Sequence, residues 1–507
     1  MYLRRYQNKD KMYFTQYSTQ QIMMSRIFII VKPFFVLLFC IFSYSVTGQS
    51  KKADDIVTKW VNQDNLRNST IVVYFQDAVT GESLGEHNAD LCVAPASTLK
   101  LWTTATALEI LSPDYRFSTT LAYSGIIKND TLHGDLIVIG GGDPALGSKY
   151  FEDHYLNPHF INKWIDTLLS KGIKHINGNL IADASAYDEP TIPDRWSWDD
   201  IGNYYGSLPS GLSFNDNLFE IHFNSPVKAD KPTQVTFTKP QIPELQFDNR
   251  ALSSDINRDM AFVYGSPSDN IRIIKGAIPK NRTDFAVNAS MPNPPLVLMR
   301  QFRDSLITYN ISLHGKIYEA QTHHDKKLTS TQSPTLLKII KETNHESINL
   351  FADHMVQHLA YVKNGKGEFE GGIEILIDFW TSKDIDTYGL YLCDGSGLSR
   401  FNAVSGRQMV SMLAYMKNKS SYSDLYFSTL PSPPDGTLGS FNPKLFPDKS
   451  LKAKSGTIGR VRCFAGLLRA KSGKEILFNI ALNNYSCPSS TATKAIEKLL
   501  SDMFNNY

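Results

Sequence analysis

The sequence predicts an α/β fold in which one domain is discontinuous and is interrupted by a large β-rich insertion. Helix-like and strand-like segments occur at both ends of the chain, whereas proline, turns and short alternating runs dominate residues 225–295. At 507 residues, the chain is also long for one domain. The economical arrangement is a domain made of residues 49–115 and 325–507, an insertion at 116–324, and a substrate cleft between them.

The overall composition is that of an ordinary globular protein, with 42% hydrophobic and 20% charged residues. A formal net charge of +2, without a basic tract interleaved with aromatic residues, argues against a nucleic-acid partner. No Cys-x-x-Cys motif or Cys/His cluster has the spacing of a zinc site, and the 12 histidines show no His-Glu-x-x-His. We therefore expect no metal and no cofactor.

The first 48 residues are predicted to be a targeting segment rather than part of the fold. A short basic start, an apolar run through Ile41 and small residues up to Gly48 are typical of a cleaved secretory signal peptide. A retained membrane anchor is the alternative, although the apolar run is near the lower limit for a spanning helix. Cleavage would remove Cys40, one of 5 cysteines, and the others permit disulfides without forming a framework.

The first predicted helix lies in "PASTLKLWTTATALEIL", where apolar residues from Leu101 to Leu111 recur at helical spacing and Pro95 stands at the start. A turn of about 3.6 residues puts Ser97 and Lys100 on the same side, with hydroxyl and amine within reach of each other. The pair is either a nucleophile with its base or a lysine whose stem packs along the helix.

The elements that follow are predicted from changes in periodicity along the chain. Two strand-like runs flank a turn at Lys128–Asp130, and "GGGDP" is expected to end a strand, because it lacks the Gly-Lys-Ser/Thr of a phosphate loop. The remaining predicted elements are a helix at 160–171, a strand at 178–185, a small all-β part at 225–295, helical segments at 295–309, 333–362 and 371–383, strands within 451–484 and a last helix from Ser490.

Two further motifs would strengthen the catalytic interpretation of Ser97 and Lys100, a Ser-x-Asn and a later Lys-Ser/Thr-Gly. The Ser-x-Asn pattern occurs at 213–215, 268–270, 347–349 and 440–442. We favour Ser347 and Asn349, because a rigid helical element of the main domain suits a catalytic group. The literal Ser-Asp-Asn at 268–270 lies instead in the turn-rich insertion.

The Lys-Ser-Gly motif occurs twice, at the two ends of one strand-like run. The copy at Lys471 lies between two predicted strands and is most simply a hairpin turn. The copy made of Lys454, Ser455 and Gly456, followed by Thr457, opens the strand, where side chains can face a cleft. We therefore assign the functional motif to the first copy.

Together the motifs form a coherent apparatus for nucleophilic catalysis. Ser97 would be the nucleophile, and Lys100 would take its proton if desolvation and a neighbouring cation such as Lys454 keep the amine partly neutral. Ser347 can relay a proton to the leaving group, and Asn349 can orient Lys100 or a substrate amide.

The third motif also suits substrate binding. Lys454, Ser455 and Thr457 suit a substrate carboxylate, and the backbone N–H groups of Ser97 and Thr457 would form an oxyanion hole.

With these motifs the sequence resembles the penicillin-recognising serine enzymes. It is most similar to the low-molecular-mass class C penicillin-binding proteins, which are D-alanyl-D-alanine carboxypeptidases and endopeptidases of the penicillin-binding protein 4 type. The resemblance runs from Ile56 to the C-terminus and includes "LSPDYRF", "HGDLIVIGGGDP", "LPSGLSFNDN", "DGSGLSRFN" and "DGTLGSF". It implies a transpeptidase-like domain with an antiparallel sheet and helices on both faces.

The resemblance implies that Ser97 is acylated by peptidoglycan peptides ending in D-Ala-D-Ala, or by β-lactams, in the periplasm. It also implies that Asp200, Tyr205 and Arg400 bind a diaminopimelate-like side chain, since an Asp/Arg pair complements a zwitterion. The alternative is that Arg400, with Asp394, only holds a loop. Gly459 lacks a side chain where relatives often carry a polar one, which leaves the side-chain preference open.

Two other functions stay open on the sequence alone. A β-lactamase or esterase with the same Ser-Lys pair would need to activate a deacylating water, and Glu368, Glu370 and Glu374 lie in no clear Glu-x-x-x-Asn loop. A non-catalytic peptidoglycan-binding protein would not need the motifs intact, and their presence argues against it.

Overall fold

The computed structural model describes residues 52–157, 159–188, 192–267 and 269–507. The predicted signal peptide and Ser268 lie outside these residues. Within the described part of the chain, no helix is long and apolar enough to cross a membrane.

The described residues form helices and strands that alternate along the chain. The helices are α1 (52–61), α2 (Lys100–Leu111), α3 (Glu152–Tyr155), α4 (Phe160–Ser170), α5 (Trp198–Ile201), α6 (Pro294–Thr308), α7 (Leu336–Glu346), α8 (Asn349–Asn364), α9 (Phe369–Thr381), α10 (Gly406–Asn418), α11 (Ser423–Ser428) and α12 (Ser489–Asn506). The strands are β1 (Thr70–Asp77), β2 (Ser83–His87), β3 (Ser118–Tyr123), β4 (Ile126–Lys128), β5 (Thr131–His133), β6 (Leu136–Gly140), β7 (His175–Ile176), β8 (Leu180–Asp183), β9 (Leu218–Ser225), β10 (Gln234–Lys239), β11 (Gln246–Asn249), β12 (Leu252–Ser254), β13 (Met260–Tyr264), β14 (Ile271–Pro279), β15 (Arg282–Ser290), β16 (Ser312–Leu313), β17 (Ile317–Glu319), β18 (Lys326–Gln332), β19 (Leu451–Ile458), β20 (Val461–Arg469) and β21 (Glu475–Asn483).

The sheet that positions the site is antiparallel throughout and has the strand order β19-β20-β21-β1-β2. Strand β1 comes from the first part of the chain and pairs along its whole length with β21 from the last part. The two ends of the sequence therefore build one sheet, as the discontinuous α/β fold requires. Strand β19, which carries the first Lys-Ser-Gly motif, lies at the edge of this sheet.

Helices cover both faces of this sheet, because successive residues of a strand point to opposite sides. Phe75 and Phe478 pack on one face with α1 and α12. Their neighbours Tyr74 and Leu477 belong to the second apolar cluster, which includes residues of α2, α8 and α10. The predicted arrangement of an antiparallel sheet between two helical layers is confirmed.

The strands from β3 to β18 form four further sheets. The described residues between 226 and 293 contain strands and no α-helix. Strand β18 pairs with β3, so residues 326–332 share a sheet with the inserted segment, although the predicted boundary lies at residue 324. The division into domains stays a prediction.

Two predicted turns are confirmed as hairpins. Strands β4 and β5 pair directly around the turn at Lys128–Asp130. Residues 470–474 join β20 to β21, so the second Lys-Ser-Gly is a surface turn. Gly473 in this turn has φ 91°, a backbone conformation that glycine adopts without strain.

The helical segment predicted at 333–362 consists of two helices, α7 and α8. Helix α7 ends at Glu346, the next residue Ser347 has a left-handed backbone with φ 61° and ψ 41°, and α8 begins at Asn349. Apolar periodicity continues across the break, so the sequence pattern did not reveal it. The break places Ser347 between two helices rather than on the side of one.

The packing of α9 against α2 predicts that replacing Trp380 destabilises the fold much more than replacing Trp198. Trp380 is fully buried, meets Trp102 edge-to-face at 5.6 Å and donates a hydrogen bond to Thr106 of α2 across 2.8 Å. Trp380→Ala should lower the free energy of unfolding by about 3–5 kcal/mol in urea denaturation. Trp198, with 51% of its surface exposed, is the matched control, and its replacement by alanine should cost no more than about 0.5 kcal/mol. Equal losses would show that Trp380 does not anchor α2.

Candidate active site

The Ser97–Lys100 pair lies at the entrance to α2. Residues Ala96–Leu99 form a single 3-10 turn, and α2 begins at Lys100. Lys100 is fully buried, and its Nζ donates hydrogen bonds to Ser97 Oγ at 3.0 Å, to Asn349 Oδ1 at 2.6 Å and to the backbone oxygen of Ser396 at 2.7 Å. The amine is therefore within proton-transfer distance of the Ser97 hydroxyl.

Burial favours the neutral form of the Lys100 amine, which is the form that can accept a proton. Loss of solvation lowers the pKa of Lys100 to about 8, and the nearby carboxylates of Asp353 and Asp394 oppose the shift. At that pKa roughly a tenth of the amine is neutral near pH 7, far more than for a solvated lysine. Burial thus favours the neutral amine that the sequence interpretation requires.

The other two motifs meet beside this pair. Lys454 is fully buried and donates to Ser347 Oγ at 2.9 Å and to the backbone oxygen of Ser455 at 2.7 Å. Burial, followed by the positive charge of Lys100, holds the pKa of Lys454 well below its usual value. Asn349 bridges to the inserted segment, because its Nδ2 donates to the backbone oxygen of Tyr205 across 2.8 Å.

Strand β19 passes very close to the Ser97 turn. A methyl group on Gly456 would lie 2.8 Å from both the Ser97 nitrogen and the Pro95 oxygen, so only glycine allows this approach. The Ala453 N–H donates a hydrogen bond to the Pro431 backbone oxygen, which lies outside the sheet. N–H groups two residues apart point the same way in a strand. The Thr457 N–H therefore points to the open edge as well.

The side chains of the third motif have partners of their own. Ser455 Oγ donates to the backbone oxygen of Thr437 across 3.4 Å. Thr457 is exposed, and its hydroxyl accepts a hydrogen bond from Arg462.

The structure also brings Asp200, Tyr205 and Arg400 together. Burial raises the pKa of Asp200, while the Tyr205 hydroxyl and the Arg400 charge oppose the rise. Arg400 Nη1 donates to the Gly459 oxygen at 3.1 Å, and a methyl group on Gly459 would lie 2.9 Å from Arg400 Nη2. Arg400 thus occupies the space left by the missing side chain.

Asp394 holds the loop that precedes Arg400. Its carboxylate accepts hydrogen bonds from four groups: the Gly397 and Ser399 N–H groups, the Asn402 amide and the Trp196 indole, at 2.7–2.9 Å. The loop in turn presents the Ser396 oxygen to Lys100. The Asp394 carboxylate therefore serves to hold this loop, whereas the Arg400 side chain is exposed at the surface.

Some groups that meet at the site were missed by the sequence interpretation. Asp353 lies one helical turn after Asn349, and this spacing on one helix face was a usable signal. The Ser396 contact uses a backbone oxygen, for which side-chain patterns carry no information. Among the described residues, no cluster of three or more His, Cys, Asp or Glu side chains could hold a metal ion.

The chain belongs to the D-Ala-D-Ala carboxypeptidase 3 (S13) family, whose model matches residues 53–506. It is therefore a serine-type D-Ala-D-Ala carboxypeptidase, and its substrate class is a peptide ending in D-Ala-D-Ala. The predicted family and enzyme class are confirmed.

Individual relatives agree with this assignment. A D-alanyl-D-alanine carboxypeptidase of Actinomadura sp. (strain R39) is 25% identical over 435 residues, 82% of this chain and 78% of the relative. DacB of Haemophilus influenzae is 25% identical over 413 residues, 80% and 83% of the two chains. The crystal structure of penicillin binding protein 4 (dacB) from Haemophilus influenzae superposes with a TM-score of 0.76 at 22% identity, covering 89% of this chain and 98% of the other. The predicted fold class is confirmed.

The two Lys-Ser-Gly copies provide a matched pair of variants. Lys454→Ala should lower kcat/KM for release of D-Ala from a D-Ala-D-Ala peptide by about 100-fold or more, because a buried amine that contacts Ser347 is lost. Lys471→Ala, in the exposed hairpin turn, should leave kcat/KM within about twofold. Thermal unfolding of both variants controls for loss of structure. Equal activity of the two variants would contradict the assignment of the motif.

Proposed function

We propose that the enzyme hydrolyses peptidoglycan stem peptides through an acyl-enzyme at Ser97, as carboxypeptidase and endopeptidase. The observation that carries this proposal is the buried Lys100 amine, which contacts both Ser97 and Asn349. Ser97 Oγ attacks the carbonyl carbon of the penultimate D-Ala, and its proton passes to neutral Lys100. The bond to the leaving amine then breaks, and the acyl-enzyme remains for attack by water.

The other polar groups support the remaining steps. Ser347, which accepts a hydrogen bond from Lys454, relays a proton to the leaving amine. The N–H groups of Ser97 and Thr457 stabilise the negative oxygen of the tetrahedral intermediate, each by about 3 kcal/mol. Lys454, Ser455 and Thr457 bind the terminal carboxylate of the substrate.

The side chain that precedes the D-Ala-D-Ala end is assigned to Asp200, Tyr205 and Arg400. Asp200 would bind an amino group, and Arg400 would bind a carboxylate at the other end of a zwitterionic side chain such as that of diaminopimelate. The support for this assignment is that the two opposite charges lie close enough for Arg400 to act on the Asp200 pKa.

We further propose that the protein works in the periplasm and is inhibited by β-lactams. The predicted signal peptide at 1–48 supports export. Penicillin binding protein 4 of Haemophilus influenzae has been crystallised in complex with a β-lactam, and this structure superposes on the chain with a TM-score of 0.72. A β-lactamase is less well supported, because Glu368, Glu370 and Glu374 are exposed on or beside α9.

Intact-mass spectrometry after brief exposure to benzylpenicillin tests the acyl-enzyme. We expect one stable adduct of one penicilloyl mass on the wild-type protein and none on Ser97→Ala, since Ser97 is the group that is acylated. An adduct that persists in Ser97→Ala would exclude Ser97 as the nucleophile. Rapid loss of the drug without an adduct would indicate a β-lactamase instead.

The side-chain assignment predicts a change of selectivity for Arg400→Gln. We expect the ratio of kcat/KM for a diaminopimelate pentapeptide to that for its Nε-acetyl-lysine counterpart to fall by about tenfold, since one charged contact is lost. Arg460→Gln is the control, because Arg460 follows Gly459, the residue that Arg400 contacts, but donates instead to the Asn484 and Tyr485 oxygens. An unchanged ratio in Arg400→Gln would show that Arg400 does not select the side chain.

A further inference from the structure

An arginine on β20 lies beside the third motif and has no role in the steps above. Arg462 is directly opposite Thr457 in the antiparallel register of β19 and β20. Residues that face each other in such a pair have their side chains on the same side of the sheet. The guanidinium reaches across to β19, where its Nη1 donates a hydrogen bond to Thr457 Oγ1. A cation therefore contacts a residue that the proposed function assigns to the substrate carboxylate.

The two hydroxyls assigned to that carboxylate share a face of the sheet with Arg462. Ser455 lies opposite Phe464, as Thr457 lies opposite Arg462, and side chains two residues apart in a strand point to the same side. Strand β19 is the edge of the sheet, so this face continues to the open edge to which the Thr457 N–H points. Thr457 is exposed and Arg462 is half-buried, so a ligand can reach both side chains.

The Arg462 guanidinium is held in place without a carboxylate. Its Cζ lies 5.0 Å from the centre of the Phe464 ring, a distance typical of a cation over an aromatic face. Within the described part of the chain, Arg462 forms no ion pair and its buried Nε has no hydrogen-bond partner, whereas Arg300 and Arg407 each bind a carboxylate. A guanidinium that is partly removed from water and lacks an opposite charge favours an anionic ligand.

The hydrogen bond from Arg462 also leaves the Thr457 hydroxyl ready to donate. A threonine hydroxyl has one proton and two lone pairs, so an oxygen that accepts from Arg462 keeps its proton for an acceptor on the substrate. Burial, Lys100 and Arg462 together hold the pKa of Lys454 well below its usual value. A carboxylate bound at the third motif would offset the repulsion among these cations.

We propose that Arg462 is a specificity-determining residue that binds the terminal carboxylate of the substrate together with the Thr457 hydroxyl. The proposal rests on the proposed function, in which this carboxylate lies at the third motif. Arginine forms strong, charge-assisted hydrogen bonds with a carboxylate, and an amide or ester in its place carries no charge to match. Arg462 therefore selects substrates and β-lactams with a free carboxylate over amidated or esterified ones.

The test compares acylation by benzylpenicillin with acylation by its methyl ester, which lacks the carboxylate charge. The second-order rate constant is measured for both compounds in the wild-type enzyme and in Arg462→Gln. The ratio of the two constants, acid over ester, should fall by about tenfold in Arg462→Gln, since one charge-assisted contact is lost. The constant for the ester should stay within about threefold, because the ester has no charged contact to lose.

Arg462→Met is a second variant that removes the charge, while its side chain can still pack on Phe464. It should show the same fall in the ratio. Arg469→Gln is the matched control, because Arg469 lies at the other end of β20, is exposed and donates to the Asp448 backbone oxygen. Its replacement should leave the ratio within about twofold of the wild-type value.

The remaining outcomes are also decisive. An unchanged ratio would overturn the proposal, including the case in which acid and ester lose rate equally because Arg462 only positions Thr457. If neither Arg462 variant folds, as judged by thermal unfolding, Arg462 is a structural residue and the proposal is wrong. If the wild-type enzyme is not acylated by benzylpenicillin, or Ser97→Ala is acylated equally, the proposed function fails instead. The two failures are therefore distinguishable.

Discussion

The burial of the Lys100 amine is the constraint on which the rest of the site depends. A lysine without solvent must satisfy its hydrogens with protein oxygens, and here the three acceptors come from the entrance turn of α2, from α8 and from the loop that holds Ser396. These segments are far apart in the sequence. Each must be in place before the amine is satisfied, so the geometry of the Ser97–Lys100 pair depends on how these three segments pack together.

Residues of the predicted insertion at 116–324 take part in this assembly. The Tyr205 oxygen accepts from Asn349, and the Trp196 indole donates to Asp394. The first contact leaves the Asn349 Oδ1 directed at Lys100, and the second helps to hold the loop that supplies the Ser396 oxygen. The inserted segment therefore helps to orient two of the three acceptors of the amine.

The sequence predicted those parts of the structure that have local signals. Helical and alternating periodicity located most elements, and the order of three short motifs located Ser97, Ser347 and Lys454. The sequence did not predict the break at Ser347, because a left-handed serine leaves the apolar pattern intact. Nor did it predict the backbone acceptor at Ser396 or the approach of Arg400 to Gly459, since both depend on residues that meet only in the folded chain.

The position of Ser97 is fixed by backbone contacts as well as by hydrogen bonds. Ala96 has φ 46°, a strained conformation for a residue with a Cβ, and it persists only if the surroundings enforce it. Two glycines from separate motifs confine the turn: a methyl group on Gly397 would lie 1.9 Å from the Ala96 oxygen, and one on Gly456 would lie 2.8 Å from the Ser97 nitrogen. Because the turn is held by close contacts on both sides, Ser97 stays beside Lys100 before substrate arrives, and little ordering is left for the reaction itself.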